Sequence, residues 1–384
     1  MRGRKIMSEQ KKDLQEPTGI KKYFKEQNIE LSFDRIAIKA LGGMAQGLFA
    51  SLLIGTILGT IGTFFPGTPV GEFLASVSGY TKIVQGAAMA IAIGYSIQCP
   101  PYVLYSLATV GVAANALGGA GGPLAVYFIA LIAAFAGKLV SKRTPVDLIV
   151  TPTVTILVGV LVAGVLAPPI GKVASALGYI IMWAAEQQPF LMGIVVSSVM
   201  GIVLTLPISS AAVCAALSLT GLAGGAAVAG CCAHMVGFAV CSYRENKLNG
   251  LVSQGLGTSM LQVPNLLRKP VLWVPPVIAS IVGGPIATCV FQLQMNGPPI
   301  SSGMGTSGLV GPIGVVTGWL SPSEAAVANA AKLGIDNIVI APGVMDWIGL
   351  IIICVVIPVV VSLLVSEFMR KKNWIKLGDY DLNL

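Results

Sequence analysis

The sequence predicts an all-α polytopic membrane protein with about ten transmembrane helices, an internal parallel repeat and a re-entrant glycine-rich segment. Of its 384 residues, 55% are hydrophobic and only 10% are charged, whereas soluble domains carry about 25% charged residues. Apolar runs of roughly 20 residues recur along the chain, and each is long enough to cross a hydrocarbon core about 30 Å thick. Basic residues cluster at the ends of these runs, as they do in the cytoplasmic loops of membrane proteins.

The basic clusters give each apolar run a direction. Lys138, Lys142 and Arg143 close one inward span, and Arg370 and Lys371 close the last one, so both termini are predicted to be cytoplasmic. Inner loops thereby account for the net charge of +8, and the lipid bilayer, with no nucleic acid, is the expected partner. The predicted spans are 40–64, 83–98, 102–118, 122–140, 146–167, 190–206, 208–222, 224–241, 271–291 and 346–367.

The same pattern divides the chain into parts. Residues 1–36 are polar and Lys-rich; they predict either an amphipathic helix on the cytoplasmic face or a flexible basic tail. Residues 37–370 form the predicted membrane transport domain, which a cytoplasmic segment at 245–269 interrupts. Residues 371–384 form a cytoplasmic tail.

An internal repeat supports this topology. The sequence PVGEFLASVSGY at Pro69–Tyr80 is similar to PIGKVASALGY at Pro169–Tyr179, with one residue deleted. An even number of predicted spans separates the copies, so both have the same orientation, as in the parallel repeats of some transporters. The predicted units are repeat one at 38–141, repeat two at 145–245, and a partial third repeat with the re-entrant segment at 270–320.

Three segments interrupt the apolar runs with proline, glycine and hydroxyl residues: SIQCPPY, TLPISSAA and PPISSGMGTSGLVGPIG. Inside a bilayer, a broken backbone must be buried in protein or line a watery cavity, and such breaks mark the binding sites of transporters. The alternative is that they are kinks at which helices pack closely. The predicted solute-binding residues in these segments are Gln98, Ser209, Ser210, Ser301, Ser302, Gly303, Gly305, Thr306, Ser307 and Gly308.

The residue types in these segments favour a neutral solute. Hydroxyls and glycine N–H groups suit a polyhydroxyl ligand, whereas an ion path would favour carboxylates within the spans. Asp346 opens the last predicted span and is a further candidate to face the cavity, its alternative being a solvated helix end. No metal site or cofactor is expected, because the seven cysteines lie mostly in apolar runs and read as small buried hydrophobes.

His234 is the only histidine, and it lies in the middle of a predicted span. An ionisable residue within a membrane is a functional candidate by default. The alternative is a neutral histidine that forms a hydrogen bond across a helix interface. His234 is therefore included among the predicted solute-binding residues.

The paired repeat, the sequence SSGMGTSGLVGPIG at Ser301–Gly314 and the basic-flanked N-terminus resemble a known family. It is the divergent enzyme IIC family of the bacterial phosphotransferase system, which includes the perfringolysin O regulator-like proteins. The resemblance covers residues 35–370. It implies a sugar permease of the bacterial cytoplasmic membrane that presents sugar to a cytosolic IIB protein. It also implies a homodimer.

Gly305–Gly308 reads Gly-Thr-Ser-Gly, where the better-known IIC proteins have a Gly-Ile-Thr-Glu type motif. Two alternatives therefore stay open: a solute transporter not coupled to phosphotransfer, and a membrane-bound regulator that senses a solute. The IIB and IIA proteins are expected as separate partners. Whether the chain takes part in enzymatic phosphotransfer is left open, and no catalytic residue is assigned.

Overall fold

The computed structural model describes residues 23–24, 26–332, 334–335 and 337–382, and within them it is all-α, with one isolated bridge between Gly221 and Met295. Six helical stretches of this part have the length and hydropathy of membrane spans, when Pro101–Val140 is counted as one stretch. Shorter apolar helices accompany them. The chain is therefore an all-α polytopic membrane protein. The amphipathic helix predicted within 1–36 lies mostly outside the described residues.

The buried apolar side chains of the described part form four cores. The first is built mainly from residues 40–134 and the second from residues 181–231. The other two are built from residues beyond position 227. The helices are α1 (Asp34–Thr63), α2 (Pro69–Ser96), α3 (Pro101–Gly118), α4 (Gly122–Val140), α5 (Asp147–Ala185), α6 (Pro189–Thr205), α7 (Ser210–Ala216), α8 (Gly221–Cys241), α9 (Tyr243–Val252), α10 (Val263–Arg268), α11 (Pro270–Val290), α12 (Pro299–Ser302), α13 (Ser307–Leu320), α14 (Glu324–Lys332) and α15 (Val344–Lys371).

Helix α5 is longer than the span predicted at 146–167. It continues as one helix of 39 residues with Pro152, Pro168 and Pro169 inside it, and at 1.5 Å per residue it is about 58 Å long. Prolines are tolerated in membrane helices because neighbouring groups satisfy the freed carbonyls. The second copy of the repeated sequence therefore lies within a helix, whereas the first copy begins α2 after a turn.

Helices α6 and α8 run side by side in the same direction. Ser197 of α6 lies against Gly230 of α8, and Gly201 lies against His234 one turn further along both helices. The two parallel helices begin at the same end. The chain that links the end of α6 to the start of α8 must therefore run antiparallel to both. We call this return segment, residues 206–220, the broken crossing.

The broken crossing differs from the continuous span predicted at 208–222. Its only helix is α7, which has seven residues and is about 10 Å long. Pro207 lacks an amide donor and interrupts the chain before α7, and Ser218 has a φ of 49° after it. The segment therefore carries irregular backbone at both ends of a short helix.

The glycine-rich segment folds into a hairpin, residues 296–323. At its base, the Ser323 amide donates to the Asn296 carbonyl at 2.9 Å. Asn296 directly follows the residue whose backbone pairs with Gly221, at the start of α8. The tip packs against Cys231 in the middle of α8. The hairpin thus enters beside one end of α8 and turns beside its middle, which is the geometry of a re-entrant segment.

The hairpin contains more helix than its composition predicts. Its first arm holds the four-residue α12, and its second arm is the apolar helix α13. Pro312 lies near the start of the α-helical part of α13, which begins at Val310. A proline in a first helical turn removes no intrahelical hydrogen bond, because the amides there have no partner within the helix.

The C-terminal tail is docked against the segment that follows α8. The side-chain amides of Asn246 and Gln262 donate to the Tyr380 carbonyl at 2.8 and 3.1 Å. Asn265 donates to the Asp381 carbonyl at 2.8 Å. Side chains of the segment 243–269 therefore hold the tail by its backbone.

The side chains of the tail add apolar and ionic contacts. Tyr380 is fully buried, its ring lies 6.3 Å from that of Phe238, and its hydroxyl donates to the Leu272 carbonyl at 3.1 Å. Asp379 pairs with Lys269. Burial raises the pKa of Asp379, but the hydrogen bonds from Lys269 and from a tail amide outweigh it and hold the pKa below its ordinary value.

We expect Tyr380→Ala to destabilise the protein by on the order of 3 kcal/mol, because it leaves a cavity at a fully buried aromatic site. Tyr380→Phe removes only the hydroxyl bond and is expected to cost about 1 kcal/mol. Thermal unfolding of the full chain in detergent measures both. Leu377→Ala is the control, since Leu377 is 76% exposed in the same tail. Equal unfolding temperatures for Tyr380→Ala and Leu377→Ala would contradict the docked tail.

Candidate solute-binding cavity

A cavity of about 190 Å³ lies where the interrupted elements meet. The broken crossing, the hairpin tip and the segment after α9 form one side, and α1, α2 and α3 form the other. No acidic, basic or histidine side chain is among the residues that line it. They are Leu48, Leu52, Leu53, Gln85, Asn115, Gly119, Pro123, Leu204, Leu206, Ile208, Ser209, Ser210, Ala211, Ala212, Gly257, Thr258, Met260, Met304 and Ser307.

The hairpin tip places Ser307 in the cavity wall. Gly305 and Gly308 on either side have φ values of 50° and 52°, which side chains other than glycine adopt at a cost. A Cβ on Gly305 would also meet the backbone of Cys231 at 2.8 Å. The hydroxyl of Thr306 donates to the Gly255 carbonyl and anchors the tip to the segment after α9. The turn is thus fixed, and Ser307 is fixed with it.

The Ser307 hydroxyl is buried but has no hydrogen-bond partner among the described residues. Its residue is only 2% exposed. A buried hydroxyl without a partner costs roughly 1–3 kcal/mol, so its place on a cavity wall requires an explanation. A ligand with its own hydroxyl groups would satisfy it.

The broken crossing supplies the other hydroxyls. Ser210 donates to the Gly303 carbonyl at 2.6 Å and ties the crossing to the hairpin. Ser209 is the N-cap of α7, and its oxygen accepts the Ala212 amide at 3.2 Å. Because that bond uses the oxygen only as an acceptor, the Ser209 proton remains available to a ligand.

The regular helices contribute two amides that sequence reasoning missed. Gln85 of α2 and Asn115 of α3 line the cavity, and neither side chain forms a hydrogen bond with the described residues. Thr258, also missed, joins them from the segment after α9. The sequence does show Gln85 and Asn115 as polar amides within apolar helices. Because neither helix is interrupted at these positions, the search for broken segments did not select them.

The remaining hairpin residues predicted to bind solute support the tip and do not line the cavity. Ser302 donates to the Leu219 carbonyl at 2.7 Å. Ser301 is buried against the second arm at Gly314. Gly303 receives the hydroxyl of Ser210, and the other hairpin candidates, Gly305, Thr306 and Gly308, shape the turn.

Gln98 lies away from the cavity, in a polar cluster at the end of α2. Its side-chain oxygen accepts from Arg35 at 2.7 Å and from Asn28 at 2.9 Å. Beside it, the buried Lys138 donates to the carbonyls of Ile97 and Asn28 at 2.6 and 2.9 Å. Two cations therefore cap the carbonyl end of α2, where the helix dipole favours positive charge.

His234 is fully buried next to the cavity wall but is not part of it. One ring nitrogen shares a 2.9 Å hydrogen bond with Thr205, which shares another of 2.8 Å with Ser259. The second ring nitrogen has no partner among the described residues. Ser259 adjoins Thr258, so this chain of hydrogen bonds ends one residue from the cavity.

Asp346 lies at the exposed start of α15. Its carboxylate accepts the Gly343 amide at 2.8 Å and so caps the first turn of that helix. A carboxylate in this position satisfies an unpaired amide and complements the helix dipole. The structure does not bring Asp346 to the cavity.

A helical membrane fold whose broken helices meet at an uncharged cavity, lined by apolar residues and a few hydroxyls and amides, is typical of the transporter class. Residues 38–382 match the family described as Phosphotransferase system, EIIC. The match covers most of the chain, which therefore belongs to that family and is a sugar permease component of a phosphotransferase system. No curated protein compared with the chain matches it.

Two serine substitutions should separate cavity from scaffold. Ser307→Ala removes a hydroxyl without a partner and is expected to leave the unfolding temperature unchanged or slightly raised. Ser302→Ala removes the bond to Leu219 and is expected to destabilise by about 1 kcal/mol. Thermal unfolding without solute measures both. Destabilisation by Ser307→Ala that equals or exceeds that of Ser302→Ala would assign Ser307 to the scaffold.

Proposed function

We propose that the chain binds a neutral polyhydroxyl solute, a sugar, in this cavity and presents it to a cytosolic IIB protein. Family membership supports a sugar and a IIB partner in general terms. The wall supports neutrality, since hydroxyls and amides line it and no ionisable side chain does. A charged solute would leave its charge uncompensated in a low-dielectric site.

The observation that carries the proposal is Ser307, a residue of the cavity wall whose hydroxyl is buried without a hydrogen-bond partner among the described residues. The other predicted residues at the cavity, Ser209 and Ser210, lie on the broken crossing, which Ser210 ties to the hairpin. We therefore propose that, of the hydroxyls predicted in the broken segments, those of Ser209, Ser210 and Ser307 bind the solute.

The inner side of the cavity is the expected exit toward IIB. Gly257, Thr258 and Met260 line it and belong to the segment predicted to be cytoplasmic at 245–269. The tail and the N-terminal segment lie near basic residues, such as Arg143 over the Tyr23 ring. These positions support cytoplasmic termini, and the family supports a location in a bacterial cytoplasmic membrane. The homodimer stays a prediction from the family.

A second candidate function is transport that is not coupled to phosphotransfer. It is favoured by the lack of a carboxylate or histidine among the residues lining the cavity. In protein kinases an aspartate accepts the proton of the attacking hydroxyl, and no such group lines this cavity. The third reading, a solute-sensing regulator, would use the same cavity without flux.

Uptake into proteoliposomes tests these readings. The full chain is given radiolabelled free hexoses and pentoses one at a time, with or without phosphorylated IIB protein in the lumen. Coupled permease activity gives lumenal sugar phosphate only when IIB is present. Free sugar in the lumen under both conditions would instead establish uncoupled transport, and binding without flux would establish a sensor.

We expect Ser307→Ala to weaken binding of the transported sugar about fivefold, the equivalent of one hydrogen bond of about 1 kcal/mol. Ser362→Ala is the matched control, because the Ser362 hydroxyl is also buried with no partner in the described part of the chain but lies outside the cavity wall. Equal affinities for the wild type and both variants would remove Ser307 from the binding site.

A further inference from the structure

We propose that Gln85 and Asn115 select the solute by binding two adjacent hydroxyl groups of a single sugar ring. The inference rests on the proposed function, since it assigns the solute class of the same cavity. Neither residue lies in the interrupted segments that the sequence singles out. Both lie in regular helices and line the same cavity as the serines.

Asn115 is held in place by two glycines. A Cβ on Gly86 of α2 would lie 2.8 Å from the Cβ of Asn115, and a Cβ on Gly122 of α4 would lie 2.6 Å from its amide oxygen. Only the absence of side chains at both positions leaves room for this amide. The side chain is thus confined between two helices, and its conformation is set before a ligand arrives.

Gln85 reaches the same wall because α2 and α3 touch at backbone level. A Cβ on Gly86 would collide with the Gly111 carbonyl, and a Cβ on Gly111 would collide with the Gly86 carbonyl. Small residues allow helices in membranes to approach this closely. Gln85 immediately precedes Gly86 on α2, and Asn115 lies one helical turn after Gly111 on α3.

An amide side chain recognises hydroxyls in a way that a serine does not. It presents an acceptor oxygen and an NH₂ donor in one plane, so it can accept from one hydroxyl and donate to its neighbour. Neither amide forms a hydrogen bond with the described residues. A solute that lacks one of these hydroxyls would leave an amide group of the protein without a hydrogen bond. An unpaired polar group is costly in a desolvated site.

The size of the cavity limits the solute to one ring. Pockets that enclose drug-sized ligands begin at roughly 300 Å³, whereas this cavity has about 190 Å³. The solute class is therefore a free monosaccharide with adjacent hydroxyls. Sugar acids and sugar phosphates are excluded, because no cation lines the wall to compensate their charge.

The test pairs protein variants with deoxy sugars. The full chain in nanodiscs is screened against glucose, galactose, mannose and ribose by the shift in unfolding temperature. Single-deoxy derivatives of the best binder are then titrated. We expect the wild type to lose about tenfold or more in affinity for two derivatives that lack neighbouring hydroxyls.

Asn115→Ala and Gln85→Ala should each bind the parent sugar about fivefold to tenfold more weakly. Each should also no longer distinguish one of the two deoxy derivatives from the parent. Asn115→Ser and Gln85→Ser repeat the test if an alanine variant does not fold. Gln188→Ala is the matched control, since this exposed amide precedes α6 and lies outside the cavity wall.

The Asn115 and Gln85 variants could still distinguish the deoxy sugars from the parent sugar as the wild type does, while Ser307→Ala weakens binding. That result would overturn this inference and leave the proposed function standing. Binding of none of the four sugars by the wild type would overturn both. If each variant loses discrimination at a different one of two neighbouring hydroxyls, Gln85 and Asn115 are established as the residues that select the solute.

Discussion

The structure depends on one constraint: backbone N–H and C=O groups freed by a broken helix inside an apolar protein must find partners within it. The broken crossing and the hairpin satisfy each other, through Ser210 and the Gly303 carbonyl and through Ser302 and the Leu219 carbonyl. Thr306 ties the tip to Gly255 in the segment after α9. The interruptions therefore gather in one place, and the cavity is the space that their packing leaves.

The cavity has two walls of different chemical origin. Irregular backbone supplies one wall, with the hydroxyls of Ser209 and Ser307. Regular helices supply the other, where glycine contacts between α2, α3 and α4 make room for Asn115. Hydroxyls come readily from helix breaks because serine satisfies local backbone groups. Amides have longer side chains and can reach a ligand from an intact helix, so the two walls together surround a small polar molecule.

One part of the cavity wall comes from the segment predicted to be cytoplasmic, 245–269, and this segment also holds the tail. Thr258 and Met260 line the cavity, and Gln262, two residues further on, donates to the Tyr380 carbonyl of the tail. Gln254, on the other side, donates to the Ser242 hydroxyl at 2.7 Å and accepts from Gln262 at 2.9 Å. A continuous set of buried hydrogen bonds therefore connects the tail to the segment that closes the cavity on the side predicted to face IIB.

The sequence by itself determined the all-α membrane class and most helix positions, because hydropathy and helix breakers act locally along the chain. It also predicted a neutral solute site in the broken segments. It also pointed to Ser209, Ser210 and Ser307. Only the tertiary structure decided that Gln85 and Asn115 share their cavity, that Gln98 joins a polar cluster at the end of α2, that Asp346 caps α15, and that Tyr380 of the tail is buried. Those outcomes depend on contacts between residues far apart in the chain, such as Gly86 against Asn115, which no local pattern encodes.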